Sequence, residues 1–424
     1  MKYKKTKLKN GLTVLTIPMQ DTQTATVVVM VGVGSRYETE REAGLSHFIE
    51  HMLFKGTEKR PTTLAISEEL DSIGGEFNAF TSKDRTGYYA KADSKHIETA
   101  LDVVSDMYLN SKMEAEEIGR EKGTIIQELN MYEDNPMRSV GDVFENLLYS
   151  PNNLGRDIIG YKKTINSFKR QDFIDYMGRF YVANDTVICV AGKFDEKKIE
   201  AQIEKYFLGM KKGKKAEIEK VVEEQKTPAV KIKFKETDQT HMVLGVRAYE
   251  ENHKDRFALS LLSTILGGNM SSRLFIEVRE RRGLAYYVRT GGDTYAECGY
   301  LATQAGVEHK NLAEAVKVIS QEYKKIAENL VEEKELTRAK NYIKGKSVMG
   351  LESSDEVAMF FIDQGMKKRT ILTPQEVFAK IDKVSIYDIK RVAQDIFKKE
   401  KLNLAIIGPH KNKKELEKIL SANL

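Results

Sequence analysis

Two pairs of segments recur along this 424-residue chain at nearly one offset. Asp21-Thr22-Gln23-Thr24 precedes a strand-like run ending at Gly32, and Glu236-Thr237-Asp238-Gln239-Thr240 precedes one ending at Gly245, 213 residues on. Val187-Ile188-Cys189-Val190-Ala191-Gly192 leads into a Lys/Glu-rich helix, as does Leu404-Ala405-Ile406-Ile407-Gly408, with Gly192 and Gly408 216 residues apart. A period of this kind marks a duplicated domain. The expected fold is therefore α+β, with two homologous halves, each a mixed sheet with helices packed on one face. A chain of this length exceeds one ordinary core, and about two to four domains are expected. Residues 209–226 are charged and poor in aromatics, and Pro228 follows them. They place a linker at 209–230 between halves at 1–208 and 231–424.

Within the first half, residues 25–34 are β-branched and read as a central strand. Residues 76–82 and 86–90 read as a hairpin, 186–192 as a buried strand, and 95–111, 114–132, 168–181 and 195–207 as helices. Hydrophobic residues at 41% and charged residues at 31% describe a globular chain, and no run of roughly 18 apolar residues offers a membrane span. The N-terminus has no apolar signal-peptide core. The 68 basic and 63 acidic residues leave +5 with the signs interspersed, which argues against nucleic-acid binding. Cys189 and Cys298 lie in apolar strand-like surroundings without a CxxC context, so they read as buried thiols in a reducing cytoplasm.

One short helix carries chemistry. In Gly44–Phe54, Leu45, Phe48, Ile49, Met52 and Leu53 form one apolar stripe. His47, Glu50 and His51 fall on the opposite side, with the two imidazoles one turn apart. Two His at i and i+4 can reach one metal ion, and a carboxylate between them stands where a general base is useful. The order His-x-x-Glu-His is the inverzincin pattern. A solvated helix face can hold the same residues, but the chain has only seven His and two are here in an otherwise apolar segment. A catalytic zinc needs a third protein ligand. In the helix around 117–129, Glu117, Glu121 and Glu128 edge a stripe of Ile118, Ile125 and Leu129. Taken alone, that row reads as an ordinary solvated edge.

Glu128 follows His51 by 77 residues, and with this separation the motif resembles the pitrilysin/insulinase zinc metallopeptidases, particularly the branch that includes mitochondrial processing peptidase. Gly32-Val33-Gly34-Ser35-Arg36, Gly44–Ser46 through Thr57, and Gly74-Gly75-Glu76-Phe77-Asn78-Ala79-Phe80-Thr81 are similar to that family's signature segments. The resemblance implies one Zn2+ per chain held by His47, His51 and Glu128. It implies Glu50 as general base and Glu121 as a carboxylate that orients a ligand. In the second half, Asn269–Phe275 and Val278–Tyr286 are similar to the family's substrate-binding segment, where an Arg and a Tyr seven apart reach the substrate. Arg279 and Tyr286 match that spacing. Only the first half carries the metal motif.

The expected activity is an endopeptidase acting on peptides or unfolded polypeptide. Glu50 takes a proton from the attacking water and passes it to the departing amine. The strand Phe77, Asn78, Ala79, Phe80, Thr81 holds the substrate by β-augmentation, with Asn78 on a substrate carbonyl. Because the chain holds both the metal set and the Arg/Tyr pair, the resemblance implies a homodimer with two sites. The competing reading is a non-catalytic peptide-holding or assembly subunit, which has no need of Glu50 and three ligands. Structural zinc is weaker still, since such sites are usually four-coordinate and Cys-rich.

Overall fold

The computed structural model describes residues 1–215, 217–367 and 370–422. The chain forms two compact units. One comprises Met1–Asn130, Arg156–Glu219 and Ser347–Pro374; the other comprises Met131–Gly155, Lys220–Lys346 and Gln375–Leu424. These differ from the halves expected in chain order, because each unit takes in one segment from the other half.

The first unit is built on strands β1 (Lys4–Lys7), β2 (Thr13–Pro18), β3 (Thr24–Val31), β4 (Glu76–Thr81), β5 (Thr86–Asp93) and β6 (Thr186–Gly192). Their order is β1-β2-β6-β3-β5-β4, antiparallel throughout except for the parallel β2–β6 pair. Both faces of central β3 are covered, which is why its sequence is continuously apolar. Val27, Val29 and Val31 enter one core, with residues of the helices Leu45–Met52 (α1), Ile97–Asn110, Arg170–Phe180 and Glu196–Phe207. Val28 and Met30 enter another, where the single helix Ser354–Met366 places Val357, Ala358, Phe361 and Ile362 against Leu15, Ile17 and Cys189. Most helices thus pack on one face, as expected, and one from late in the chain closes the second.

The second unit repeats this plan with β7 (Ala229–Phe234), β8 (Thr240–Ala248), β9 (Ala285–Gly291), β10 (Gly299–Val307) and β11 (Leu402–Gly408). The order is β7-β11-β8-β10-β9, with β7–β11 the parallel pair. Strand for strand this is β2-β6-β3-β5-β4. The repeat expected from the two offsets is therefore real in the topology, although β8 runs on to Ala248 rather than ending at Gly245. Here the helix that closes the second face is Pro136–Tyr149, with Val140, Val143 and Phe144 packed with Val243, Ala405 and Ile407. No helix among the described residues is long and apolar enough to cross a membrane.

Candidate metal centre

α1 is short, and its position is held by burial and by its N-terminus. Leu45, Phe48, Ile49 and Met52 are wholly inaccessible to solvent, each contributing about 1.5–3 kcal/mol of burial. The ring of Phe48 meets that of Phe173 edge-on, with centroids 4.9 Å apart. The helix starts at Gly44, whose φ of +96° suits glycine, and a Cβ there would come within 2.6 Å of the Ile159 carbonyl. Glu38 accepts hydrogen bonds from the Gly44 and Ser46 amides, both at 2.7 Å, so a carboxyl group takes up the free amides at the start of α1. Burial pushes the Glu38 carboxyl up to about 8. Sequence reasoning missed Glu38; an acid six residues ahead of the helix N-cap is the available signal.

The helix Ala115–Glu133 (α2) buries Ile118, Ile125 and Leu129, the stripe expected from periodicity. That packing turns Glu121 and Glu128 toward α1, whereas Glu117 is taken up by a surface pair with Arg120. Nε2 of His47 lies 3.7 Å, and Nε2 of His51 3.4 Å, from the same Oε2 of Glu128. One ligand atom from each of His47, His51 and Glu128 lies within 4.8 Å of the others. Donors 2.0–2.2 Å from a shared tetrahedral centre stand about 3.3–3.6 Å apart. Two imidazole nitrogens and one carboxylate oxygen at these separations fit a zinc ion and leave a fourth position open. Behind them, Oε1 of Glu121 pairs with Nδ1 of His51 at 2.9 Å, and Oε2 of Glu121 lies 2.5 Å from Nζ of Lys55.

The electrostatics sort the two histidines. Burial, helped by the neighbouring His51, lowers His47 to about 4, so it is neutral at pH 7 with a lone pair to give. Burial also opposes charge on His51, but the hydrogen bonds to Glu121 and Glu128 outweigh it and raise it to about 9. The bond from His51 holds the Glu128 carboxyl below the usual range. Without metal, His51 is therefore the cation that occupies the site. Glu50 lies between the two histidines in sequence, close enough for His51 and Glu128 to act on its charge, with Oε2 buried and unpartnered. Burial pushes its carboxyl upward, which strengthens it as a base. Thr81, on β4, is near enough to favour the ionised form, yet its hydroxyl closes no hydrogen bond of normal geometry.

β4 is an edge strand and, among the described residues, pairs with β5 alone. Its alternation divides the expected substrate strand. Phe77 and Ala79 pack into the α1 core, with the Phe77 ring 6.3 Å from that of Phe54, whereas Phe80 packs into the core under Ser354–Met366. Asn78 shares the Phe80 face, and its Oδ1 accepts from the Ala79 amide at 2.8 Å. The Asn78 side chain therefore stands on the sheet face opposite α1.

Arg279 and Tyr286 lie together in the second unit. Arg279 is in the π-helical turn Phe275–Glu280, and its guanidinium is flanked by the rings of Phe275 at 4.9 Å and Tyr286 at 5.4 Å. Its neighbours Arg281 and Arg282 are committed to Glu277, each at 2.5 Å. Tyr286, at 77% exposure, is the second residue of the edge strand β9, with its ring open to solvent.

Comparison with known proteins then decides the family. Residues 13–162 match the description "Insulinase (Peptidase family M16)" and residues 167–343 match "Peptidase M16 inactive domain". A Rickettsia felis protein named "uncharacterized zinc protease" is 36% identical over 414 residues, which are 95% of this chain and 97% of that one.

This chain belongs to the insulinase (M16) peptidase family. The Bacillus subtilis zinc protease YmxG, also described as uncharacterized, is 34% identical over 95% of this chain and 98% of its own. A protease of Helicobacter pylori has the same fold, with a TM-score of 0.90 at 23% identity over 96% of this chain and 99% of that one. The match described as inactive begins after α2, so every metal-centre residue named above falls within the other.

Proposed function

We propose that this M16 chain is a zinc-dependent endopeptidase of the branch that includes mitochondrial processing peptidase, hydrolysing short or unfolded peptides. The observation that carries the reading is the buried, unpartnered Oε2 of Glu50 beside a three-donor set fit for zinc. His47, His51 and Glu128 would hold the ion, whose chemistry is to lower the pKa of a bound water from 15.7 to about 7 and to polarise a carbonyl. Glu50 takes the proton from the attacking water and returns it to the leaving amine. The free edge of β4 supplies backbone groups that hold an extended peptide whatever its side chains. Arg279, pre-set between two rings, and Tyr286 bind the substrate, as the family resemblance implies.

The same reading makes the protein a homodimer with two sites in a reducing cytoplasm, consistent with two buried free thiols. A single dimer mass in solution is the expected result. The alternative, a peptide-holding subunit without chemistry, draws on the match of residues 167–343 to an inactive domain, but gives Glu50 no task. Hydrolysis of a quenched fluorescent peptide library by wild type and Glu50→Gln, with zinc content determined on both, separates them. The variant is expected to keep about one zinc per chain and lose at least about 100-fold in activity. Zinc-loaded wild type that cleaves nothing would favour the holding role, and wild type without zinc would overturn the zinc-peptidase reading.

A further inference from the structure

Side chains of α1 and the turn after it meet those of α2 in a ladder of alternating kind. His47, His51 and Lys55 follow one another at four-residue intervals, and Glu128 and Glu121 stand between them. The last rung is the least explained. Glu121 is 5% exposed, so its carboxylate has little water to solvate it. One oxygen faces His51 Nδ1 at 2.9 Å and the other faces Lys55 Nζ at 2.5 Å. Nothing assigned above gives Lys55 a role.

We infer that Lys55 is a positioning residue for the metal centre, acting through Glu121 on His51. A buried carboxylate is costly unless its charge is paired. Among the described residues within reach of Glu121, the cations are His51 and Lys55. When His51 gives Nε2 to a metal its ring is neutral, and Lys55 is then the positive side chain left to Glu121. An ionised Glu121 fixes the proton of His51 on Nδ1 and points Nε2 at the site. Lys55 therefore supports the metal-holding tautomer at one remove, and its weight is greatest in the loaded state. The inference rests on the zinc reading above.

A double-mutant cycle read by zinc affinity tests this. Zinc dissociation constants are measured by competition against a chromophoric chelator for wild type, Lys55→Met, Lys55→Arg, Glu121→Gln and the Lys55→Met/Glu121→Gln pair. Melting temperatures of the metal-free forms are recorded alongside. Lys55→Met is expected to weaken zinc binding about 10- to 100-fold with little change in metal-free melting. Lys55→Arg, which keeps the charge, should restore most of it. In the Glu121→Gln background, removing Lys55 should cost nothing further. Wild-type affinity in Lys55→Met, or full additivity of the two changes, overturns the positioning role. Failure of wild type to bind zinc overturns the underlying reading instead. If Lys55→Met unfolds, the Lys55→Arg and Glu121→Gln arms still decide: equal loss in Lys55→Arg despite native melting counts against the inference.

Discussion

The two units share one strand order, yet their sheets serve different ends. After β3 the chain makes α1, with His47, Glu50 and His51 along one side. After β8 it makes Arg256–Gly267, whose only charged residue is Arg256 and whose Ser263 and Thr264 hydroxyls donate to the Thr290 and Ser260 carbonyls. The first helix leaves two buried polar atoms unpartnered, His47 Nδ1 and Glu50 Oε2, while the second has its Ser263 and Thr264 hydroxyls satisfied. Unsatisfied buried groups cost stability and are kept where they do something else. The scaffold is common to both units, and the three-donor set stands on one.

The most severe way to break the contrast is to make the first helix as inert as the second. His51→Ala removes one nitrogen donor and the partner of both Glu121 and Glu128. Zinc measured by atomic absorption after dialysis is expected to fall from about one per chain to near zero, with far-ultraviolet circular dichroism retained. Full zinc content in that variant would show that the ligands lie elsewhere.

A second test uses the histidine pair. His51, raised to about 9, carries a proton in the metal-free protein, whereas His47, lowered to about 4, does not. Binding metal must expel that one proton. Zinc affinity is therefore expected to rise about tenfold per pH unit from roughly pH 5 to 7, and more steeply above that once a zinc-bound water ionises as well. Calorimetry at pH 6, below the range in which a zinc-bound water ionises, in buffers of different ionisation enthalpy should report close to one proton released. A value near zero or two would reject this division of roles.

The smallest effect concerns how the two helices are started. α1 is capped from a distance by Glu38, whereas Arg256–Gly267 starts after Asp255, whose carboxylate is held by Arg391 at 2.7 and 2.8 Å. The Glu38 carboxyl is raised from its ordinary 4.5 to about 8, so the stabilisation from its protonated form is complete below about pH 4.5 and is lost as pH rises through 8. Glu38→Gln cannot ionise. Chemical denaturation should therefore find the variant gaining on wild type as pH climbs from 5 to 8. A constant difference across that range would mean that Glu38 keeps one protonation state throughout.

Much of this was legible before the structure. Residues 186–192 form the strand expected at those positions, and the hairpin at 76–82 and 86–90 appears as β4 and β5. These runs are short, β-branched or aromatic, and bounded by turn residues, so local preference and final packing agree. The candidate metal helix stood out in the sequence because His47, Glu50 and His51 share one face. Glu128 was not legible from periodicity alone. Its row also contains Glu117 and Glu121, and only the approach of α1 separates an exposed partner of Arg120 from a ligand candidate. The exchanged helices were illegible for a related reason. Periodicity names the face that a helix must bury, but not the sheet that receives it.

That exchange bears on how the molecule comes into being. A nascent chain emerging from the ribosome completes all six strands of the first sheet by Gly192. One side of that sheet, with Leu15, Ile17, Val28 and Met30, waits for Ser354–Met366. Nearly the whole polypeptide must be synthesised before this first unit has its cover, and until then its apolar side is exposed to chaperones and to neighbouring chains. A gene cut at the linker would leave that side bare permanently, so the protein that looks divisible on paper matures as one piece.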